Sequence, residues 1–134
     1  MRRVRRLAER IARELGLDAV TAFHIKVALN EAATNGIVHG CRTSVDRVRV
    51  RARADAAASA LVVDVVDPGG RFRRAERLLD PLAGSGRGTA LLEATTDELQ
   101  IEVEPGRTSV RFVKRLDAHA VVGGRRADLG TVCA

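Results

Sequence analysis

The chain predicts an α+β fold, a two-layer sandwich in which a mixed, mostly antiparallel sheet carries helices on one face. Three observations predict it: two helix-period segments at the start, a switch to period two from Val45, and a closing pair of strand-like segments joined at Pro105-Gly106. The length of 134 residues suits one domain with a single core. With 46% hydrophobic and 2% aromatic residues, and no Trp or Tyr, that core must be built from Val, Leu, Ile and Ala.

Val4, Leu7, Ala8, Ile11 and Leu15 recur at helical spacing and Gly16 stops them, which predicts a first helix of about four turns. Asp18 is placed to cap a second helix from about Ala19 to Val38 or His39, closed by Gly40. From Val45, Arg47, Arg49, Arg51 and Arg53 alternate with Val48, Val50, Ala52 and Ala54, a strand with one wet face. Leu61 to Asp67 is more continuously apolar and reads as a central strand. Residues 71 to 85 read as a mobile connection, after which Gly88 opens a helix running to about Thr96. Leu99–Glu104 and Arg107–Lys114 form a hairpin in which Glu104 faces Arg107, Ile101 faces Val110 and Leu99 faces Phe112. Thr108 is then the lone hydroxyl on an apolar face, shared with Val103. After Asp117 no period is visible, and Gly123-Gly124 predicts a loosely ordered tail. The sheet face bearing the Arg row is either solvated or covered by a partner.

The net charge of +6 comes from 23 basic residues, mostly Arg, dispersed among 17 acids. Dispersion and the lack of stacking aromatics argue against direct nucleic-acid binding and favour anionic small molecules or an acidic protein surface. Cys41 and Cys133 have no metal-ligand spacing and are expected as reduced thiols. No apolar run approaches the roughly 20 residues that span a bilayer, and the basic start leads into an amphipathic pattern, so no membrane role and a cytoplasmic location are expected.

Glu31, Asn35 and His39 fall four apart on the second helix and therefore share a stripe. Val27, Leu29, Ala32, Ala33, Ile37 and Val38 supply apolar surroundings. Such a stripe is either the wet face of a helix or a site. A divalent cation with its polyphosphate would satisfy it, because Asn offers a neutral oxygen and Glu can accept a proton. Downstream, Asp67-Pro-Gly-Gly is either a turn or a carboxylate at the end of a central strand, suited to an exocyclic amine such as that of adenine. Gly84-Ser-Gly-Arg-Gly88, before a helix, is either a flexible linker or an anion site with Arg87 adding charge. It lacks the Gly-Lys-Ser/Thr ending of a P-loop.

Taken together, these motifs resemble the GHKL (Bergerat-fold) ATPases, and most closely the anti-sigma-factor serine kinases of the RsbW and SpoIIAB type. The segment from Glu31 to Gly40 looks like the N box of that family, Asp67-Pro-Gly-Gly its first glycine box, Gly84 to Leu92 its second, and Arg107 to Phe112 its closing threonine strand. The resemblance implies an ATP-binding domain over residues 1–116, with residues 117–134 as the tail. It implies ATP and Mg²⁺, with Asn35 on the metal, Asp67 on the adenine amine, Gly69 shaping the base pocket and Thr108 closing it. Gly84, Gly86, Arg87 and Gly88 would surround the phosphates, and Glu31 would be the general base. His39 would be a helix-end residue or a support to the site.

The implied function is an ATP-dependent serine/threonine kinase and anti-sigma factor that phosphorylates a small antagonist protein and sequesters a sigma factor, as a homodimer by resemblance alone. The alternative is an ATP-binding regulatory domain with little or no kinase activity. Phosphoacceptor helices are missing around His24, which argues against a two-component histidine kinase. Three departures stand out: Arg71 occupies the position of a usual glycine, Gly36 replaces a common alanine, and the family's usual first strand does not precede the first helix. The last predicts either a sheet one strand short or a start upstream of Met1.

Overall fold

A computed structural model describes residues 1–69, 86–117 and 127–134, without the side chains of residues 86–89 and 127. Helix α1 (Arg2–Glu14) buries Val4, Leu7, Ala8 and Ile11, the stripe read from its spacing, and ends where Gly16 turns the chain at φ +58°. Asp18 caps α2 (Ala19–Asn35), its Oδ1 accepting the Thr21 backbone N–H at 2.7 Å. That hydrogen bond holds the Asp18 carboxyl below its ordinary range. The second helix does not simply run on to His39: Gly36–Gly40 form a π-helical turn, in which Cys41 N–H donates to the Gly36 carbonyl at 3.2 Å.

Strands β1 (Arg49–Asp55) and β2 (Ala60–Asp67), helix α3 (Gly86–Thr95), and strands β3 (Glu98–Glu104) and β4 (Arg107–Arg115) follow. The hairpin register is the expected one, with Glu104 opposite Arg107, Val103 opposite Thr108, Ile101 opposite Val110 and Leu99 opposite Phe112. Gly106 takes φ +75° in the turn, a value suited to glycine.

The expected loose tail is corrected at its end. Ala127–Cys133 form a strand, β5, paired antiparallel with β1, and Val48 and Ala134 exchange backbone hydrogen bonds at 2.9 and 2.8 Å. Residues 118–126 lie outside the described residues. Pairing shifts register between Ala52 and Arg53, and Gly130 at φ +120° lies in this irregular stretch. The Arg10 side chain of α1 donates to the Leu129 carbonyl, tying β5 to the helical layer.

The sheet order is β3-β4-β2-β1-β5, with every described pairing antiparallel. The described helices lie on one face. Between the layers Leu7, Ile11, Ile25 and Leu29 meet Val50, Val63, Val65 and Phe112, all at most 1% exposed. Side chains of adjacent β1 and β2 residues alternate between this core and the opposite, open face, which carries Arg49, Arg51 and Arg53.

Candidate functional site

The site grows from the end of α2. Asn35 is its last α-helical residue and is 7% exposed, whereas Glu31, one turn earlier and about 6 Å back along the axis, is half-buried. The stripe is therefore no plain wet face. His39 sits in the π-helical turn, also half-buried, and the wider turn takes it out of strict α register with Asn35. Val38, expected to help bury the stripe, is 64% exposed for the same reason.

Gly36 explains why the turn lies where it does. A Cβ at this position would stand 2.9 Å from Val48 Cγ2 and 3.5 Å from Asp67 Cβ, so the backbone of the turn packs directly against β2 and the residue leading into β1. Val48 is fully buried and has no room to give. Glycine here is thus a packing requirement, worth more than the roughly 1 kcal/mol of helix propensity it forgoes. Gly36→Ala should lower stability by about 1 kcal/mol net, since overpacking costs about 1–3 kcal/mol against that propensity gain. A thermal melt checks it, and a raised melting temperature would contradict the packing account.

Asp67 ends β2 at 3% exposure, its Oδ1 accepting the Gly69 N–H at 2.8 Å in a tight local turn. Directly across the ladder stands Thr108, fully buried, and its Oγ1 has no hydrogen-bond partner among the described residues. A buried hydroxyl left unsatisfied costs about 1–3 kcal/mol, and this one stands beside a buried carboxylate. Beside Gly69 opens a cleft of about 370 Å³, lined also by Gly40, Arg42, Asp46 and Gly106. Asp46 accepts the Arg42 and Thr43 N–H groups at 2.7 and 2.8 Å, which fixes this rim and holds the Asp46 carboxyl below its ordinary range.

Gly86, Arg87 and Gly88 form the first turn of α3, which starts two residues before the Gly88 expected to open it. Packing of α3 on α2 overrides the poor helix propensity of the two glycines. Gly70, Arg71 and Gly84 lie outside the described residues. Among the expected residues, Asn35, Asp67 and Thr108 are thus joined through Gly36 and the β2–β4 ladder, with Glu31 one turn away. Two buried polar atoms besides Thr108 Oγ1, Asn30 Oδ1 and Arg10 Nε, have no hydrogen-bond partner among the described residues and were not expected from the sequence. No spacing rule singles out Asn30, and only its burial draws notice.

The buried Asp67 acceptor and the unsatisfied Thr108 hydroxyl suit a purine edge that offers both a donor and an acceptor, and the Asn35 amide suits a hard cation. The donor set therefore fits a nucleotide with its metal. No helix among the described residues is long and apolar enough to cross a membrane.

Comparison with known proteins bears on the family and the fold. A family model described as the histidine kinase-like ATPase domain matches residues 1–114. An anti-sigma F factor from Thermoanaerobacter sp. is 30% identical over 98 residues, 67% of each chain. The serine-protein kinase RsbW of Bacillus licheniformis is 26% identical over 125 residues, 85% of this chain and 77% of its own. Among solved structures, the histidine kinase domain of a blue-light activated histidine kinase from Erythrobacter litoralis superposes with a TM-score of 0.60. At 19% identity, over 87% of this chain and 65% of that one, this is a likeness of fold alone. With the model match running through α1, the π-helical turn, Asp67 and Thr108, the chain belongs to the histidine kinase-like ATPase domain family.

Proposed function

We propose that this domain binds ATP with Mg²⁺, transfers the γ-phosphoryl group to a serine of a small antagonist protein, and sequesters a sigma factor. The observation that carries the nucleotide half is the buried pair of Asp67 and Thr108, with a carboxylate and an unsatisfied hydroxyl opposed across one ladder step. The names of the relatives, an anti-sigma F factor and a serine-protein kinase, support the other half. Such partners belong to the cytoplasm.

In this reading Asp67 accepts from the adenine amine, Gly69 keeps the pocket floor open, and Thr108 closes the base on its far side. Gly86, Arg87 and Gly88, in the first turn of α3, receive the phosphates together with Gly84 of the same glycine cluster. Asn35 holds Mg²⁺, which supplies charge neutralisation on the phosphate oxygens. Glu31 takes the serine proton as the serine oxygen bonds to the γ-phosphorus and the bond to the β,γ-bridging oxygen breaks, leaving ADP. A turn of helix separates Glu31 from Asn35, so base and metal ligand are held by one rigid element.

A second reading, an ATP-binding regulatory domain without appreciable transfer, rests on Arg71 in place of glycine in the first glycine cluster. Calorimetry with ATP and Mg²⁺ tests what the two share, and transfer of label from γ-labelled ATP to the antagonist separates them. Heat of binding is expected, together with a stabilisation of about 2.7 kcal/mol at a hundredfold excess over Kd. Absence of both heat and thermal shift at millimolar nucleotide would sink both readings.

A further inference from the structure

The face of the sheet turned away from the helices holds a shallow cavity of about 350 Å³, lined by five arginines and only two carboxylates, Asp64 and Glu102. The ion pairs are unevenly shared. Asp64 accepts from Arg53 at 3.1 Å and from Arg111 at 2.6 Å, so one carboxylate answers two cations. Arg51 reaches Asp128 of β5 at 3.4 Å. Arg49 and Arg107, which line the same cavity at the end nearest Asp67, have no ion-pair partner among the described residues. Arg49, Arg51 and Arg53 alternate along β1 about 7 Å apart, inside the screening length of about 8–10 Å at physiological salt, so they repel one another. Residues of any polar type would keep this strand face wet. A run of guanidinium groups is specific to an anionic surface that it can grip bidentately.

The charge is also patterned. Edge strand β3 carries Glu98, Glu102 and Glu104, all exposed, beside the cationic strip of β1 and β4. A nucleic-acid backbone crossing the strip would run onto these glutamates. Among the described residues it would find no aromatic side chain to stack on either, since Phe112 is buried on the helical side, Phe23 sits on α2, and the chain has neither Trp nor Tyr. A protein surface, whose charges can change sign over a few residues, has no such conflict.

We propose that the open face of the sheet is a docking surface for an acidic segment of a partner protein, whose carboxylates are received by Arg49, Arg51 and Arg107. The inference stands on the sheet alone, and loss of ATP binding would leave it untouched.

Fluorescence anisotropy at low salt with a labelled Glu/Asp-rich peptide, and with a labelled oligothymidylate of equal charge, tests it on the full chain. Wild type binds the peptide more tightly than the oligonucleotide. The double substitution Arg49→Glu with Arg107→Glu weakens peptide binding by about tenfold or more, the corresponding pair of alanines by less, and melting temperatures stay unchanged because both side chains are exposed. Tighter binding of the oligonucleotide with the same arginine dependence would make this a nucleic-acid face and overturn the proposal. So would a wild-type dimer in sedimentation that the substitutions dissolve, since a second copy would then own the face. Absence of peptide binding, or peptide affinity indifferent to both pairs of substitutions, overturns it as well.

Discussion

Glu31→Ala should lower phosphoryl transfer to a serine acceptor by about 10²–10⁴-fold while ATP affinity changes by no more than about twofold. Glu31 lies one helical turn before Asn35, half-buried, and makes no ion pair among the described residues, so its removal breaks none. Stability should then move by less than about 0.5 kcal/mol. Glu31→Gln is the stricter variant, since it keeps the size and one acceptor oxygen but cannot take the proton at neutral pH. Both are assayed by transfer of labelled phosphate, with nucleotide affinity measured separately by calorimetry. Transfer at the wild-type rate in either variant would remove Glu31 from the chemistry and leave the proton to another group. A parallel fall in ATP affinity would instead make Glu31 a binding residue.

The parts of this molecule that could be read from the chain are those written in short-range patterns. The α1 stripe from Val4 to Ile11, the Asp18 cap and the alternation along β1 each depend on neighbours within a few residues, and the structure has all three. The β3–β4 register followed from a two-residue turn at Pro105-Gly106 and the need to keep Ile101, Val110 and Phe112 on one face. What escaped depends on distant partners. Strand β5 has a glycine in its middle, and among its described residues Leu129 is buried in the core with Val132 partly buried against it. Its identity as a strand comes from pairing with β1 across a register shift and from the Arg10 side chain, neither of which is written locally. The π-helical turn was equally hidden, because Glu31, Asn35 and His39 at intervals of four fit an ordinary helix. Only the collision a Cβ at position 36 would have with Val48 reveals why glycine stands there. The candidate site divides the same way. Asp67 and Thr108 were each suggested by their own surroundings, but that they face each other, and that the Thr108 hydroxyl is unsatisfied, required the β2–β4 ladder.

That opposition leads to the second large effect: Asp67→Asn should weaken ATP binding by about a hundredfold with the fold intact. Asn has nearly the same volume as Asp and can still accept the Gly69 N–H, the contact that shapes the turn after β2. Its other terminal atom becomes an amide donor. If the carboxylate accepts from the adenine amine, the substitution sets a donor against a donor in a buried place, at a cost of about 3 kcal/mol, or two decades in Kd. Inosine triphosphate separates this from general damage to the pocket. It carries a carbonyl oxygen where adenine carries the amine, so wild type should bind it poorly, with an acceptor facing the Asp67 acceptor. The asparagine variant, now offering a donor, should recover much of that loss. The diagnostic quantity is the interaction between substitution and base: a penalty for ATP and a gain for inosine triphosphate. If Asp67→Asn weakens both nucleotides equally, Asp67 supports the pocket without reading the base, and the amine must be recognised elsewhere.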